Sequence, residues 1–274
     1  MKDIVNFKKI GKKFCSITAY DYMSAKLISD ADFPLILVGD SASMVMYGYC
    51  DTTPITMEEM LLVLKAVIRA DSGSVVVADM PFMSYQASLE EAIKNAGKFI
   101  KCGANAVKVE GASLDTCNKI KHFVSSGIPV VGHIGLMPQS INVTSGYSVQ
   151  GKSRSRAKQI IRDALSLHKS GAFCVVLEGI PSQLAKLITE KISIPTIGIG
   201  SGPHCDGQIQ VFHDVLGLDK SFLPKHSKRF FNGYDSFLSA LHQYEDDVAQ
   251  GSFPSSENYT DIDNSILEDI SEDY

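Results

Sequence analysis

Five apolar runs in this 274-residue sequence end on an ionisable side chain. The runs are LILVGD, SVVVAD, NAVKVE, IPVVGH and AFCVVLE, and they end on Asp40, Asp79, Glu110, His133 and Glu178. A single residue of this kind is usually a loop residue or a helix cap, but five in succession favour an assembled site. If the runs are parallel strands of one barrel, their carboxyl ends meet at the mouth where barrel enzymes place their chemistry.

Three of these residues, Asp40, Asp79 and Glu110, are carboxylates that would repel one another in one mouth. The cluster therefore needs a counter-charge. Oxygen ligands without cysteine or paired histidine suit Mg²⁺, which also keeps positions open for water or substrate oxygens. The ammonium of Lys108 is the alternative source of positive charge.

Lys108 lies two residues before Glu110 in AVKVEG, so both side chains project from the same face of a strand. An ammonium beside the acids could hold a carboxylate or an enolate oxygen of a substrate. The alternative is a salt bridge with an acid inside the barrel.

Glu178 is the better candidate for proton transfer, because apolar surroundings disfavour the charged form of an acid. A buried acid paired with Lys or Arg is the alternative. His133 is either a hydrogen-bonded structural residue or a supporting residue or proton relay at the site. The run GIGSG, residues 198 to 202, could present backbone amides to an anion or could simply form a tight turn.

The elements that must position these residues repeat along the chain. The β-rich runs are continuously apolar, which indicates strands covered on both faces and hence a parallel sheet. Seven or eight strand–helix units favour a (β/α)8 barrel over an open doubly wound sheet. The predicted strands cover residues 14–19, 35–40, 74–79, 105–110, 128–133, 172–178, 194–200 and, less clearly, 208–217. Predicted helices cover residues 56–70, 88–103, 153–171 and 181–192, and Thr56 with Glu59 and Ser88 with Glu91 have the capping-box spacing.

Composition and charge restrict the class of protein. A chain with 45% apolar residues can bury one large core. The segment after Gly251 holds seven acids and no Lys or Arg; the rest has 26 basic and 24 acidic residues, a balance of +2. This balance argues against nucleic acid as the main partner. Six cysteines without C-x-x-C spacing indicate reduced core residues, and with no apolar run long enough to span a membrane we expect a cytoplasmic protein.

Eleven ordered motifs resemble those of the ketopantoate hydroxymethyltransferase family. They are SITAYDYMSAKL, LVGDSASMVMYG, DTTPIT, ADMPFMSY, GANAVKVEG, GIPVVGHIGLMPQS, GYSVQG, VVLEGIP, TIGIGSG, DGQIQVFHDVLG and PKHSKRF. The resemblance extends from about residue 4 to about residue 254. We therefore expect one catalytic domain over residues 1–254 and an acidic, flexible tail over residues 255–274.

The resemblance implies a (β/α)8 TIM barrel of the phosphoenolpyruvate/pyruvate superfamily that assembles as a homo-oligomer, typically a decamer. It also implies transfer of a hydroxymethyl group from the co-substrate 5,10-methylenetetrahydrofolate to 3-methyl-2-oxobutanoate, through an enolate stabilised by Mg²⁺, in pantothenate biosynthesis. Carried over by motif, the metal ligands would be Asp40, Asp79 and Glu110. Substrate contacts would be Asp40, Ser41, Asp79 and Lys108, and the proton acceptor would be Glu178.

The sequence departs from the family pattern at three positions. Ser148 replaces a frequent lysine in the GYKVQG-like loop, Cys50 stands where a polar residue is usual, and His226 interrupts a PKFVKRY-like stretch. Two alternatives to the transferase are a magnesium-dependent carbon–carbon lyase of the same superfamily and a barrel that binds an oxo acid without turnover. The cysteine of a KKCGH-like loop, expected of a lyase, is missing from the sequence, whereas all five residues at the strand ends are present.

Overall fold

Eight parallel strands close into a barrel in which each strand pairs with the next one along the chain. The computed structural model describes residues 2–70, 73–144 and 148–271. The strands are β1 (Phe14–Thr18), β2 (Leu35–Val38), β3 (Val75–Asp79), β4 (Ala106–Glu110), β5 (Val130–Gly135), β6 (Cys174–Glu178), β7 (Thr196–Ile199) and β8 (Gly207–Gln210). Pairing of β1 with β8 completes the ring, with Phe14 opposite Gly207. The predicted barrel is confirmed, and the open-sheet alternative is wrong.

Helices surround the barrel and extend from its C-terminal side. They are α1 (Lys2–Lys9), α2 (Tyr22–Asp30), α3 (Ala42–Val45), α4 (Met57–Ile68), α5 (Leu89–Lys101), α6 (Leu114–Ser125), α7 (Ile141–Thr144), α8 (Arg154–Lys169), α9 (Ser182–Lys191), α10 (Phe212–Leu216), α11 (Gly233–Gln250) and α12 (Asn264–Ser271). A short 3-10 turn, Pro138–Ser140, precedes α7.

The strands are apolar along their whole length because both of their faces are covered. One set of side chains, including Leu37, Val77 and Val131, packs together in the barrel interior. The alternate set, including Ile36 and Val76, packs with the surrounding helices. Residues next to each other in sequence therefore enter different cores, which explains the continuous apolar runs.

Both capping predictions identify true helix starts. At α4, the Thr56 side chain accepts from the Glu59 backbone N–H while the Glu59 carboxylate accepts from the Thr56 N–H, a reciprocal capping box. At α5, the Ser88 hydroxyl accepts from the Glu91 N–H at 3.1 Å. These caps fix the residues at which the loops that follow β2 and β3 end and helices α4 and α5 begin.

The eighth unit differs from its prediction. Strand β8 stops at Gln210, and the following residues form α10 instead of extending the strand to residue 217. The Thr18 hydroxyl accepts the Phe212 N–H at 2.9 Å, and Gly217, with a φ of +63°, ends the helix. Apolar residues at both helical and strand spacing made this short run ambiguous.

The C-terminal region contrasts with the barrel. Helix α11 has 18 residues, yet Gly233 is its one buried residue. The segment after residue 254 contains α12, which the sequence analysis did not predict, and its described side chains are exposed. That this tail is flexible remains a prediction. Within the described ranges, the helices include none with both the length and the apolar character needed to cross a bilayer.

The six cysteines are free thiols, as expected, but they are not all core residues. Cys117, Cys174 and Cys205 are buried, whereas Cys15 and Cys50 are exposed. The prediction of small core residues therefore holds for half of them.

Candidate active site

A cavity of about 140 Å³ opens at the carboxyl ends of the strands. Its walls include apolar side chains of the barrel interior such as Leu37, Val176, Ile199 and Ile209. All the residues that the sequence analysis selected for the site also line it: Asp40, Ser41, Asp79, Lys108, Glu110, His133 and Glu178. The predicted convergence of these side chains at one mouth is therefore observed.

The positions of these residues on their strands differ in detail from the prediction. Asp79, Glu110 and Glu178 are the last residues of β3, β4 and β6. Asp40 instead lies two residues beyond β2, and His133 lies within β5, which continues to Gly135. These shifts leave every one of the five side chains in the cavity wall because all of them lie within two residues of a strand end.

Lys108 forms a buried ion pair with Asp79. Its Nζ lies 2.6 Å from Oδ1 and 2.7 Å from Oδ2 of Asp79, and both side chains are almost completely shielded from solvent. Burial alone would lower the pKa of Lys108, but the carboxylates of Asp79, Glu110 and Asp40 outweigh it and raise the pKa. The interior salt bridge, which the sequence left as the alternative, is therefore present, with Asp79 as the partner.

Strand register explains this choice of partner. Lys108 on β4 is directly opposite Asp79 on β3, and Glu110 is directly opposite His133 on β5. Neighbouring strands lie about 4.8 Å apart, whereas residues i and i+2 of one strand are separated by about 6.6 Å. Lys108 therefore meets the acid across the ladder instead of the acid that follows it in sequence.

The surroundings of Asp40 disfavour its ionised form. Burial, followed by the nearby Asp79 carboxylate, raises the pKa of Asp40 well above its usual range, although Lys108 opposes this shift. The backbone N–H of Asp40 donates to Asp79 at 3.4 Å, which places the two acids side by side. The Gln139 side-chain amide donates to Oδ2 of Asp40 at 2.8 Å.

His133 lies between two carboxylates. Its Nδ1 is 3.3 Å from Glu110 Oε1 and its Nε2 is 3.2 Å from Glu178 Oε2, but neither ring N–H points closely enough at the oxygen to form a hydrogen bond of good geometry. Burial alone would lower the pKa of His133, but the two carboxylates outweigh it and raise the pKa to about 9. Burial would raise the pKa of Glu110, whereas His133 and Lys108 together bring it below its usual value.

Glu178 is the most open of these acids. Its side chain is 14% exposed, compared with 3% for Glu110. Its backbone is fixed from two directions, because the Leu136 N–H donates to the Glu178 carbonyl at 2.8 Å and the Ser201 hydroxyl donates to the Leu177 carbonyl at 2.7 Å. A β-carbon at Gly135 would collide with the Glu178 carbonyl oxygen, so only glycine permits this approach.

The GIGSG run forms a tight turn, which was one of its two interpretations. Gly200 and Gly202 have φ values of +63° and +78°, in the region that favours glycine. Ser201 between them is fully buried, and its hydroxyl is directed at β6. Anion binding by this run remains a prediction.

Sequence reasoning missed Gln139 and Tyr20. Gln139 lies in the 3-10 turn after β5, where it is buried and hydrogen-bonded to Asp40 and Glu110. The Tyr20 hydroxyl is 2.8 Å from the Ser41 hydroxyl, and burial raises the pKa of Tyr20. Both residues lie in quoted motifs, GLMPQS and SITAYDYMSAKL, but neutral polar residues beside turns have no distinctive spacing.

The three departures from the family pattern lie in different environments. His226 lines the cavity, which the sequence did not predict, whereas Cys50 is exposed. Ser148 is exposed as well, and residues 145–147 of the same loop lie outside the described residues. Of the three, His226 therefore lies where it could contact a bound ligand.

The acidic side chains of the cavity suit a divalent cation chemically but are not preassembled around one. In residues 2–70, 73–144 and 148–271, no three His, Cys, Asp or Glu side chains are grouped as a ready set of metal ligands. Lys108 already engages both oxygens of Asp79. However, the acidic side chains that line the cavity outnumber the basic ones, and hard oxygen donors suit Mg²⁺. The acids are Asp40, Asp79, Glu110, Glu178 and Asp214, and the basic residues are Lys108, His133 and His226. The residues therefore fit the ion chemically, and their role as ligands remains a prediction.

Comparison with known proteins identifies the family of this chain. A sequence model described as ketopantoate hydroxymethyltransferase matches residues 1–256. A protein of Clostridium acetobutylicum named 3-methyl-2-oxobutanoate hydroxymethyltransferase is 49% identical over 265 residues, covering 96% of this chain and 95% of its own. A protein of the same name from Thermotoga neapolitana is 51% identical over 263 residues, covering 94% and 97%.

Solved structures of other proteins share the fold at low identity. A phosphoenolpyruvate phosphomutase from Streptomyces platensis subsp. rosaceus has a TM-score of 0.61 at 14% identity, covering 98% of this chain and 94% of its own. A phosphonopyruvate hydrolase in complex with oxalate and Mg²⁺ has a TM-score of 0.61 at 12% identity, covering 94% and 92%. These similarities show a shared fold, in agreement with the closed barrel of eight parallel strands. The sequence model and the relatives at 49% and 51% identity place the chain in the ketopantoate hydroxymethyltransferase family of transferases.

Proposed function

We propose that this protein transfers a hydroxymethyl group from 5,10-methylenetetrahydrofolate to 3-methyl-2-oxobutanoate, forming 2-dehydropantoate for pantothenate biosynthesis. The observation that carries the proposal is that one partly exposed carboxylate, Glu178, and one buried ammonium, Lys108, line the same small cavity. Such a site offers a proton acceptor and a fixed positive charge to one small molecule.

The cavity volume supports a small acid as the molecule that enters. Drug-sized ligands occupy pockets of roughly 300–1,000 Å³, so about 140 Å³ suits a compact 2-oxo acid and excludes a whole folate. The one-carbon donor would therefore approach from the mouth while the oxo acid lies deeper. Its methylene group is the only part that must reach the acid's carbon 3.

Asp40, Asp79 and Glu110 would hold Mg²⁺. When bound, the ion would supply Lewis-acid polarisation of the substrate's keto group. Gln139 contacts Oδ2 of Asp40 and Oε2 of Glu110, so each carboxylate has a second oxygen that this residue does not hold. Asp79 has no carboxylate oxygen free of Lys108, because the ammonium contacts both of them.

Lys108 and Ser41 would bind and orient the oxo acid. The ammonium is held in place by Asp79, so it can stabilise negative charge that develops on the substrate without a large rearrangement. The Ser41 hydroxyl lines the cavity and is oriented by Tyr20. Asp40 and Asp79 would complete the polar wall against which the acid lies.

Glu178 would remove the proton from carbon 3 of the oxo acid. Its partial exposure gives the carboxylate access to the cavity, and its fixed backbone limits where that carboxylate can lie. His133 contacts Glu178 on one side and Glu110 on the other, so it would orient the base and could pass on the proton. The resulting carbanion would attack the folate-borne methylene and displace one of its two nitrogens, which takes up a proton. Water would then hydrolyse the remaining carbon–nitrogen bond, which leaves the hydroxymethyl group on carbon 3 and releases tetrahydrofolate.

The test is direct formation of the product. Full-length protein with 3-methyl-2-oxobutanoate, 5,10-methylenetetrahydrofolate and Mg²⁺ is expected to form 2-dehydropantoate, detected by mass spectrometry. Without the folate, the same protein is expected to exchange the carbon 3 proton for deuterium in D₂O. Exchange without transfer would favour a different one-carbon donor, and failure of both reactions would overturn the assignment. Carbon–carbon cleavage of a 2-oxo acid product in the absence of folate would favour a lyase.

We also propose a homo-oligomer in the cytoplasm. Helix α11 exposes Phe237, Leu241, Tyr244 and Val248 at spacings of three and four residues, which form one apolar face. Helices derive most of their stability from packing such a face, so a second copy of the chain is the partner we propose for it. Light scattering is expected to show an assembly larger than a monomer, and Leu241→Glu is expected to reduce its mass.

The cysteines support the cytoplasm as the compartment. All six are free thiols, and free thiols suit a reducing compartment.

A further inference from the structure

We propose that Gln139 is a positioning residue that holds the carboxylates of Asp40 and Glu110 in the orientation needed to bind a divalent cation. The proposal rests on the cation-binding part of the proposed function. It goes further by assigning a specific task to a neutral residue that is not itself proposed to be a ligand.

Gln139 joins acids that come from separate parts of the barrel. Its side-chain Nε2 donates to Oδ2 of Asp40 at 2.8 Å, and its backbone N–H donates to Oε2 of Glu110 at 3.1 Å. Asp40 follows β2 and Glu110 ends β4, whereas Gln139 follows β5. One residue therefore fixes one oxygen of each carboxylate, and this defines the direction of the other.

The orientation of the Gln139 amide is determined by its remaining contacts. Its Nε2 also donates to the Met80 carbonyl at 2.9 Å, so both amide protons have acceptors. Its Oε1 lies 3.2 Å from the Tyr85 hydroxyl and 3.3 Å from Nε2 of Gln86. A rotated amide would direct Oε1 at the Asp40 carboxylate and the Met80 carbonyl, which are both acceptors, so only one orientation satisfies the group.

Tyr85 extends the same network to Glu110. Its hydroxyl oxygen accepts the Glu110 backbone N–H at 3.0 Å. Its single proton is shared between Gln139 Oε1 and the Glu110 carbonyl at 3.3 Å. Gln139 therefore contacts the Glu110 carboxylate directly and the Glu110 backbone through Tyr85. A displacement of Gln139 or Tyr85 would shift the position of Glu110.

Charge explains why an amide suits this position. Gln139 is 4% exposed and lies against a surplus of carboxylates. A lysine or arginine here would neutralise the charge that attracts a cation, and an apolar side chain would leave Asp40 without its side-chain amide donor. A neutral amide donates hydrogen bonds while preserving the negative charge. Residues that orient metal ligands in this way commonly change metal affinity by about 10–100-fold when they are removed.

The test compares Mg²⁺ binding by wild-type protein and Gln139→Met, measured by calorimetry on the full chain without substrate. Methionine has nearly the same length, but its side chain makes no hydrogen bond to Asp40, to the Met80 carbonyl or to the Tyr85 hydroxyl; the backbone N–H of residue 139 can still donate to Glu110. We expect Mg²⁺ affinity to fall about 10–100-fold. Mn²⁺ titration followed by electron paramagnetic resonance gives a second readout that does not depend on turnover. If Gln139→Met does not fold, Gln139→Asn retains an amide that is one methylene too short to reach both Asp40 and the Met80 carbonyl, and we expect a loss of the same kind.

Asn95→Leu is the matched control. Asn95 is also a buried amide, 6% exposed, and its Nδ2 donates to the Ser84 carbonyl at 2.8 Å in the same loop region without contacting the acids. We expect this variant to lose stability but to bind Mg²⁺ as the wild type does. Wild-type affinity in the Gln139 variants, or an equal loss in Asn95→Leu, would overturn the proposal. If the wild type binds neither ion, this inference fails together with the cation part of the proposed function, whereas product formation tests the transferase separately.

Discussion

The two sides of the cavity wall are built differently although both consist of charged residues at strand ends. On the β2–β4 side, the Asp79 and Lys108 side chains are 2% and 5% exposed and form a close ion pair, and Gln139 holds the neighbouring acids. On the β5–β6 side, Glu178 is 14% exposed, and its contact with His133 lacks good hydrogen-bond geometry. We call the β2–β4 side the acid side and the β5–β6 side the base side.

This difference agrees with the two tasks. Groups that must hold charge in one place are better buried and fully bonded, because they then need little reorganisation during reaction. A group that accepts and releases a proton needs access to substrate and a looser set of contacts. Substitutions on the acid side should therefore affect both stability and activity, whereas those on the base side should affect activity alone.

The largest effect is expected for Lys108→Met on the acid side. The substitution leaves Asp79 buried without its partner, so we expect the free energy of unfolding to fall by about 3–5 kcal/mol. Urea denaturation of the metal-free protein measures this change. The double variant Lys108→Met with Asp79→Leu should recover much of the loss, because it removes the unpaired charge. A Lys108→Met protein as stable as the wild type would show that the ion pair does not stabilise the fold.

Glu178→Gln tests the base side. The side chain keeps its size and is partly exposed, so we expect stability to change by less than about 1 kcal/mol. Loss of the proton acceptor should slow deuterium exchange at carbon 3 at least about a hundredfold. Nuclear magnetic resonance follows the exchange, and calorimetry tests whether the oxo acid still binds. Exchange at the wild-type rate would exclude Glu178 as the base.

Ser201→Ala should affect the base side less strongly. The Ser201 hydroxyl donates to the carbonyl of Leu177, directly before Glu178, so its loss should let the base move slightly and slow exchange about tenfold. Ser16→Ala is the matched control because Ser16 is also buried and its hydroxyl donates to the Gln208 carbonyl at 3.0 Å. Equal slowing in both variants would indicate general destabilisation instead of positioning.

Thr56→Ala should have the smallest effect, and only on stability. Removal of the α4 cap should lower the free energy of unfolding by about 1 kcal/mol without changing exchange at carbon 3. Thr56→Ser, which keeps the hydroxyl, should restore most of the loss. If Thr56→Ala changed the rate of exchange at carbon 3, a stability change far from the cavity would be enough to alter activity. The comparison of the two sides would then not hold.

Most of the barrel was predictable because its strands are buried on both faces and are bounded by helix caps and glycines. The exception was residues 208–217, where a short apolar run is compatible with a strand or a helix. Contacts with Thr18 and the left-handed Gly217 resolve it as β8 followed by α10. The charged residues of the site were predictable for a related reason, since an ionisable group is conspicuous at the end of an apolar strand.

The neutral members of the site were not predictable in the same way. Gln139, Tyr85 and Ser201 lie in loops or turns where polar residues are ordinary, and the partners described above for them are 24 to 99 positions away in sequence. Their importance arises from hydrogen bonds between distant segments. No local pattern records such contacts, because spacing along the chain describes only neighbours on one element.

The sequence by itself determined the barrel class, the family and the set of charged residues at the mouth. The barrel class and the charged residues follow from local features, namely continuous apolar runs, caps, and ionisable residues at the ends of the runs, whereas the family follows from the resemblance of eleven ordered motifs. Only the tertiary structure decided which of these residues pair. Strand register sets Lys108 opposite Asp79 and Glu110 opposite His133, because adjacent strands bring side chains closer than two steps along one strand do. Lys108 and Glu110, adjacent on one face of β4, therefore have different partners across the barrel wall.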